Sequence, residues 1–145
     1  MMTETLNPPA AGKQTKRILV VDDHEVMRLG IRNLLESRPS WNICAEACNG
    51  QEAVEKALQC APDVVIMDVT MPAMNGLEAA SLINKARPDI PVILFSLHLS
   101  RELLGHFDSS VRGAVSKGDA ARDLVKAVEV VLNGGTFFPN QSDKA

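Results

Sequence analysis

The feature that most limits how this chain can fold is a set of short apolar runs, each ending on a polar residue. Ile18-Leu19-Val20-Val21 leads into Asp22-Asp23, Val64-Val65-Ile66-Met67 into Asp68, and Val92-Ile93-Leu94-Phe95 into Ser96. Four bulky residues without polar alternation read as a strand covered on both faces, as in parallel sheets. A polar group emerging at the C-terminal end of such a strand stands where open α/β sheets bind ligands.

Helical spacing fills the intervals. Met27, Ile31, Leu34 and Leu35 predict a first helix, with Pro39 just past its end. A second strand is expected over 41–48. Asn49-Gly50-Gln51-Glu52 and Asn75-Gly76-Leu77-Glu78 are two alike helix starts, in which Asn caps and Glu reaches back. Ala53, Val54, Ala57 and Leu58 give the second helix its inner face, and Leu77, Ala80 and Ile83 the third. Residues 100–109 predict a weak fourth helix interrupted by Gly105, and a short fifth strand ends at Lys117. The last helix is expected to start at Asp119 as its cap and to stop at Gly134-Gly135. Strand and helix alternate five times, which specifies a parallel sheet with helices on both faces. In the last helix Leu124, Val128 and Val131 form one stripe, and Val125 and Leu132 extend onto its flank. That width suits either a broad core contact or a partner or dimer surface.

Composition narrows the class. With 145 residues, 46% hydrophobic and 23% charged, the chain makes one domain of soluble balance. No run approaches the roughly 20 apolar residues of a membrane helix, and the start lacks the apolar core of a signal peptide. A cytoplasmic location is expected. The net charge of −3, with scattered Lys and Arg, leaves no nucleic-acid footprint on this chain. Cys44 and Cys48 would share a strand face about 13 Å apart at ~3.3 Å per residue, too far for a disulfide. With Cys60 they read as buried thiols in a reducing compartment.

Parallel strands would gather Asp22, Asp23, Asp68, Ser96 and Lys117 on one rim. Three carboxylates that close repel one another, and a hard divalent cation such as Mg2+ is the usual remedy. With a lysine ammonium, the ion could hold the oxygens of a phosphoryl group delivered to Asp68, while a serine hydroxyl donates to another oxygen. His24, His98 and His106 are not spaced to form a metal site with one another; His98 reads as an exposed loop residue or as a group governing access to Asp68.

These stretches, together with Asp68-Val69-Thr70-Met71-Pro72-Ala73-Met74-Asn75-Gly76, resemble the receiver domain of two-component response regulators. The resemblance covers about residues 17–135, leaving 1–16 as a disordered tail and 136–145 as a linker or tail. It implies an α/β, doubly wound five-stranded parallel sheet of the flavodoxin-like (CheY-like) kind, in the strand order 2-1-3-4-5. It implies Asp68 as the phosphoacceptor and Asp22, Asp23, Asp68 and the Thr70 backbone carbonyl around Mg2+. Ser96 would follow the phosphoryl group and Lys117 would pair with it. The donor would be a histidine kinase or phosphotransfer protein, and the chain would catalyse only its own phosphorylation and dephosphorylation.

Val21-Asp22-Asp23-His24-Glu25, Ser96-Leu97-His98 and Gly134-Gly135-Thr136-Phe137-Phe138-Pro139 are most similar to receivers that precede a LuxR-type helix-turn-helix. DNA would then be bound by a further C-terminal domain; a free-standing receiver acting on another protein is the other expectation. Two surfaces are candidates for a homodimer, the first and last helices or the face between the fourth and fifth. Departures from the pattern bear on switching. Ala114 stands where receivers usually carry an aromatic ring, residues 109–112 lack the usual Gly-Ala, and Gly118 follows the lysine in place of Pro. Signalling is therefore expected through residues 96–107. A pseudo-receiver, acting by constitutive contacts, is the alternative. A hydrolase with an aspartyl phosphate intermediate would need a second Asp where Thr70 stands.

Overall fold

The computed structural model describes residues 15–99 and 110–139. Five strands, β1 (Lys16–Val21), β2 (Trp41–Ala47), β3 (Val64–Asp68), β4 (Val92–Ser96) and β5 (Val111–Ser116), pair in parallel in the order β2-β1-β3-β4-β5. Helices α1 (Glu25–Leu35), α2 (Gly50–Cys60) and α3 (Gly76–Ala86) and a last helix (Ala120–Leu132) connect or cover them. The weak fourth helix, Gly105, His106 and most of the expected signalling segment lie outside the described residues.

The uninterrupted apolar runs are explained by two cores. Leu19, Val21, Val65, Met67 and Leu94 face α2 and α3, where Ala53, Ala57, Ala80 and Ile83 meet them. Ile18, Val20, Val64, Ile66 and Phe95 face Ile31 and Leu35 of α1 and Leu124, Val128 and Val131 of the last helix. Successive residues of a strand point to opposite faces, so a strand between two helical layers needs an apolar side chain at each position. Val125 and Leu132 pack partly against the same core, so the wide stripe of the last helix is largely absorbed by the fold.

Local structure corrects several expectations. The Asn75 side chain accepts from the Glu78 amide and Glu78 reaches back to the Asn75 amide, a complete capping box. At α2, Asn49 accepts from the Glu52 amide, but Glu52 reaches one residue further back, to the amide of Cys48. Leu58 is turned outward, 48% exposed, because the sheet side of α2 is filled by alanines that hold the helix close. Asp119 makes no side-chain cap; a single 3-10 turn (Lys117–Asp119) precedes the last helix, and Ser116 caps that turn by accepting from the Gly118 amide. Cys48 is exposed, beyond the end of β2. The register skips at Cys44, where Ile18 pairs with Ile43 but Leu19 with Ala45, so strand alternation does not carry from Cys44 to Cys48. The half-buried Cys44 thiol instead meets Cys60, and its pKa is pushed up to about 11, first by burial and then by that neighbour.

At both borders of the described residues the chain is tied to the sheet. Lys16 belongs to β1 and its amide donates to the Ser40 carbonyl. After the last helix the chain turns at Gly134, in the left-handed region at φ 91°, and runs beside β5. There the Phe137 amide donates to Arg112 and the Ala114 amide to Phe137. A Cβ at Gly113 would lie 3.0 Å from the Phe137 carbonyl oxygen, so glycine permits this approach. Phe137 packs on one core, and Phe138 on the other, the cluster that contains Ala114.

Candidate functional site

β1 and β3 are adjacent and parallel, so Asp22 and Asp68 leave the sheet side by side at its C-terminal rim. The loop after Asp68 is held by the Gly76 amide donating to the Val69 carbonyl at 2.8 Å. Gly76 lies so close that an added Cβ would meet the Asp68 carbonyl oxygen at 2.1 Å, and any side chain there would displace the loop. Arg28 of α1 donates to the Asp22 carbonyl at 2.7 Å and to Glu46 at 3.0 Å, which ties the β1 end to β2.

Lys117 reaches into the rim from the end of β5. Its Nζ lies 2.8 Å from Asp22 Oδ2 and 3.3 Å from Asp68 Oδ1, and all three side chains are more than nine-tenths buried. The Thr70 amide also donates to Asp68 Oδ1. Asp68 Oδ2 is buried and has no hydrogen-bond partner among the described residues. Burial raises the Asp68 pKa to about 6, with the Asp22 charge adding to the rise and Lys117 opposing it. Burial alone would depress the Lys117 ammonium, but Asp22 and then Asp68 hold its pKa above the usual value. One ammonium thus faces two buried carboxylates, with the partly exposed Asp23 beside them.

Four of the residues expected on one rim therefore meet: Asp22, Asp23, Asp68 and Lys117. Oxygen atoms of the three carboxylates and a ring nitrogen of His24 lie within 4.8 Å of one another. Such a group suits a divalent cation, and the unsatisfied Asp68 Oδ2 is the kind of buried acceptor that an ion would complete. Thr70 meets Asp68 through its N–H; the bond just given involves nothing of its carbonyl. Ser96 stands at the end of β4, where Asp68 pairs with Phe95, but its hydroxyl exchanges hydrogen bonds with the backbone of His98 rather than with Asp68. His98 is an exposed loop residue. His24, which forms no metal site with the other histidines by spacing, instead joins the acidic rim, and its position directly after Asp22-Asp23 is the sequence signal for that placement.

The sequence model of the response regulator receiver domain matches residues 18–129. The chain is 36% identical over 124 residues to the transcriptional regulatory protein LnrK of Bacillus subtilis, covering 85% of this chain and 56% of that protein. It is 36% identical over 122 residues to the response regulator UvrY of Escherichia coli, covering 83% of this chain and 56% of the relative. It thus spans about half the length of these curated relatives. A solved two-component response regulator of the LuxR family from Aurantimonas superposes with a TM-score of 0.83 at 32% identity, covering 90% of this chain and 94% of the other. The β2-β1-β3-β4-β5 sheet, the acidic rim and these similarities converge, and the chain belongs to the response regulator receiver domain family.

Proposed function

We propose that this chain is a phosphorylatable receiver whose Asp68 accepts a phosphoryl group from a phosphohistidine of a histidine kinase or phosphotransfer protein. The observation that carries this reading is the buried, unpartnered Asp68 Oδ2 beside an ammonium and two further carboxylates. That oxygen attacks phosphorus, an O–P bond forms, and the P–N bond of the donor breaks with its electron pair returning to the imidazole ring. Asp22, Asp23, Asp68 and the Thr70 carbonyl would hold Mg2+, which when bound neutralises phosphoryl oxygens. Lys117 pairs with another of those oxygens by exchanging one carboxylate partner for the phosphoryl group. Ser96, released from the backbone of His98, donates to the acylphosphate and carries the loop after β4 with it.

The chain performs this transfer and the later dephosphorylation, in which water attacks phosphorus and the bond to the Asp68 oxygen breaks to release inorganic phosphate, on itself and turns over no other substrate. It works in the cytoplasm; among the described residues no helix is long and apolar enough to cross a membrane. Its similarity to transcriptional regulators about twice as long supports a role as the input half of a DNA-binding regulator.

The test is to incubate the protein with Mg2+ and acetyl phosphate and to weigh it intact. One added phosphoryl group that disappears in Asp68→Asn is expected; no mass shift with any donor overturns the reading. A second reading, a pseudo-receiver acting through constitutive contacts, is favoured by Ala114, which is buried and has no ring to swing. Equal partner affinity before and after phosphorylation would decide for it.

A further inference from the structure

We propose that His24 is a nitrogen ligand of the rim's divalent ion and shifts its selectivity from Mg2+ towards imidazole-accepting ions such as Mn2+. This rests on the reading that Asp22, Asp23 and Asp68 hold a cation. His24 occupies the N-cap of α1, a position where Ser, Thr, Asp or Asn usually accepts from the first turn. Its ring makes no such cap bond. The ring turns the other way, placing Nδ1 3.1 Å from Asp23 Oδ1 and 3.3 Å from Asp22 Oδ1. Its backbone is fixed there by the His24 amide donating to Asp22 Oδ1 at 2.9 Å.

Ligands held at about 2.1 Å around one ion are separated by roughly 3 to 4 Å, depending on whether they sit side by side or opposite. The four donors lie within 4.8 Å of one another, just outside that range. The buried, unpartnered Asp68 Oδ2 is an independent sign that the group is built around something. His24 is 72% exposed, so its ring can approach an ion without repacking the core. Mg2+ favours an all-oxygen shell, whereas an imidazole donor strengthens binding of transition ions further along the affinity series.

The experiment uses the intact metal-free chain and Mn2+ as probe. Mn2+ binding is followed by loss of its free-ion paramagnetic resonance signal, and pulsed resonance detects directly bound nitrogen. Nitrogen modulation is expected in the wild type and its loss in His24→Ala. The preference for Mn2+ over Mg2+ should fall at least fivefold in that variant, with Mg2+ affinity changed less than twofold. A bound Mn2+ with an oxygen-only signature, or a nitrogen signal that survives His24→Ala, overturns the proposal and leaves the cation-holding rim intact. Absence of binding, or binding indifferent to Asp68→Asn, brings down both.

Discussion

The two ends of the sheet carry similar kinds of charge in opposite conditions. At the N-terminal end Arg17 donates to the Cys60 carbonyl, its own amide meets Asp63, and Arg87 pairs with Asp89 at 2.8 Å in solvent. Each acid there has a partner, and water screens what is left over. At the C-terminal end Asp22 and Asp68 are buried around the Lys117 ammonium, and one oxygen of Asp68 has no hydrogen-bond partner among the described residues. Exposed pairs add little to stability, whereas buried like charges cost it. The fold thus satisfies the charges of one rim and leaves those of the other unbalanced.

The largest effect on the charged C-terminal rim is expected from Lys117→Met. It keeps the apolar stem, which places the ammonium 5.7 Å from the Phe95 ring centre, but removes the charge between two buried carboxylates. A loss of about 3–5 kcal/mol is expected in urea unfolding at pH 8. Without Lys117 to oppose the rise, Asp68 takes up its proton at a higher pH than in the parent, so the loss should shrink as pH falls towards 6 and level off below it.

A divalent ion should relieve the same rim. Mn2+ or Mg2+ at about 100 times its dissociation constant raises the unfolding free energy by about 2.7 kcal/mol. Asp23→Asn should abolish most of that rise in a thermal melt. An equal rise in that variant would place the ion elsewhere.

Asp68→Asn tests the sign of the imbalance. The carboxyl titrates at about 6 in the folded chain and at about 3.9 in an unfolded one, so the folded state holds its proton longer. The associated stability is fully present below about pH 4 and is lost as pH rises through 6. The amide has no charge to lose. In the absence of divalent ions the variant should therefore be more stable than the parent by about 1–3 kcal/mol at pH 8, and the gain should vanish near pH 4. Destabilisation at pH 8 would contradict the picture of a strained rim.

At the other extreme, Arg87→Ala breaks an exposed pair at the satisfied end. No measurable change in the urea midpoint is expected. A large change would mean that the two ends are less different than their burial indicates.

Much of this contrast was legible in the chain. Apolar runs of four residues fix strands between two helical layers, and polar residues following them mark the rim, so Asp22, Asp68 and Lys117 follow from local pattern alone. Asn75 and Glu78 announced their cap for the same reason: both partners lie within one turn. What escaped detection depends on distant contacts or on irregularity. The skipped register at Cys44 turns on how β2 pairs with β1, and no window of sequence reports it. Leu58 belongs to a plausible helical stripe, but alanines take the sheet side. The meeting of Cys44 with Cys60, and of Phe137 with Gly113, joins segments far apart in the chain.

That last contact bears on whatever is coupled to this domain. Because Phe137 is stitched to the outer edge of β5, the leash to any following module starts at the sheet rather than at the end of the last helix. A shorter leash confines a tethered module to a smaller volume and raises its local concentration at nearby surfaces. The anchoring strand is also the one that leads directly into Lys117, so the tether's foothold and the rim's buried ammonium share a single backbone.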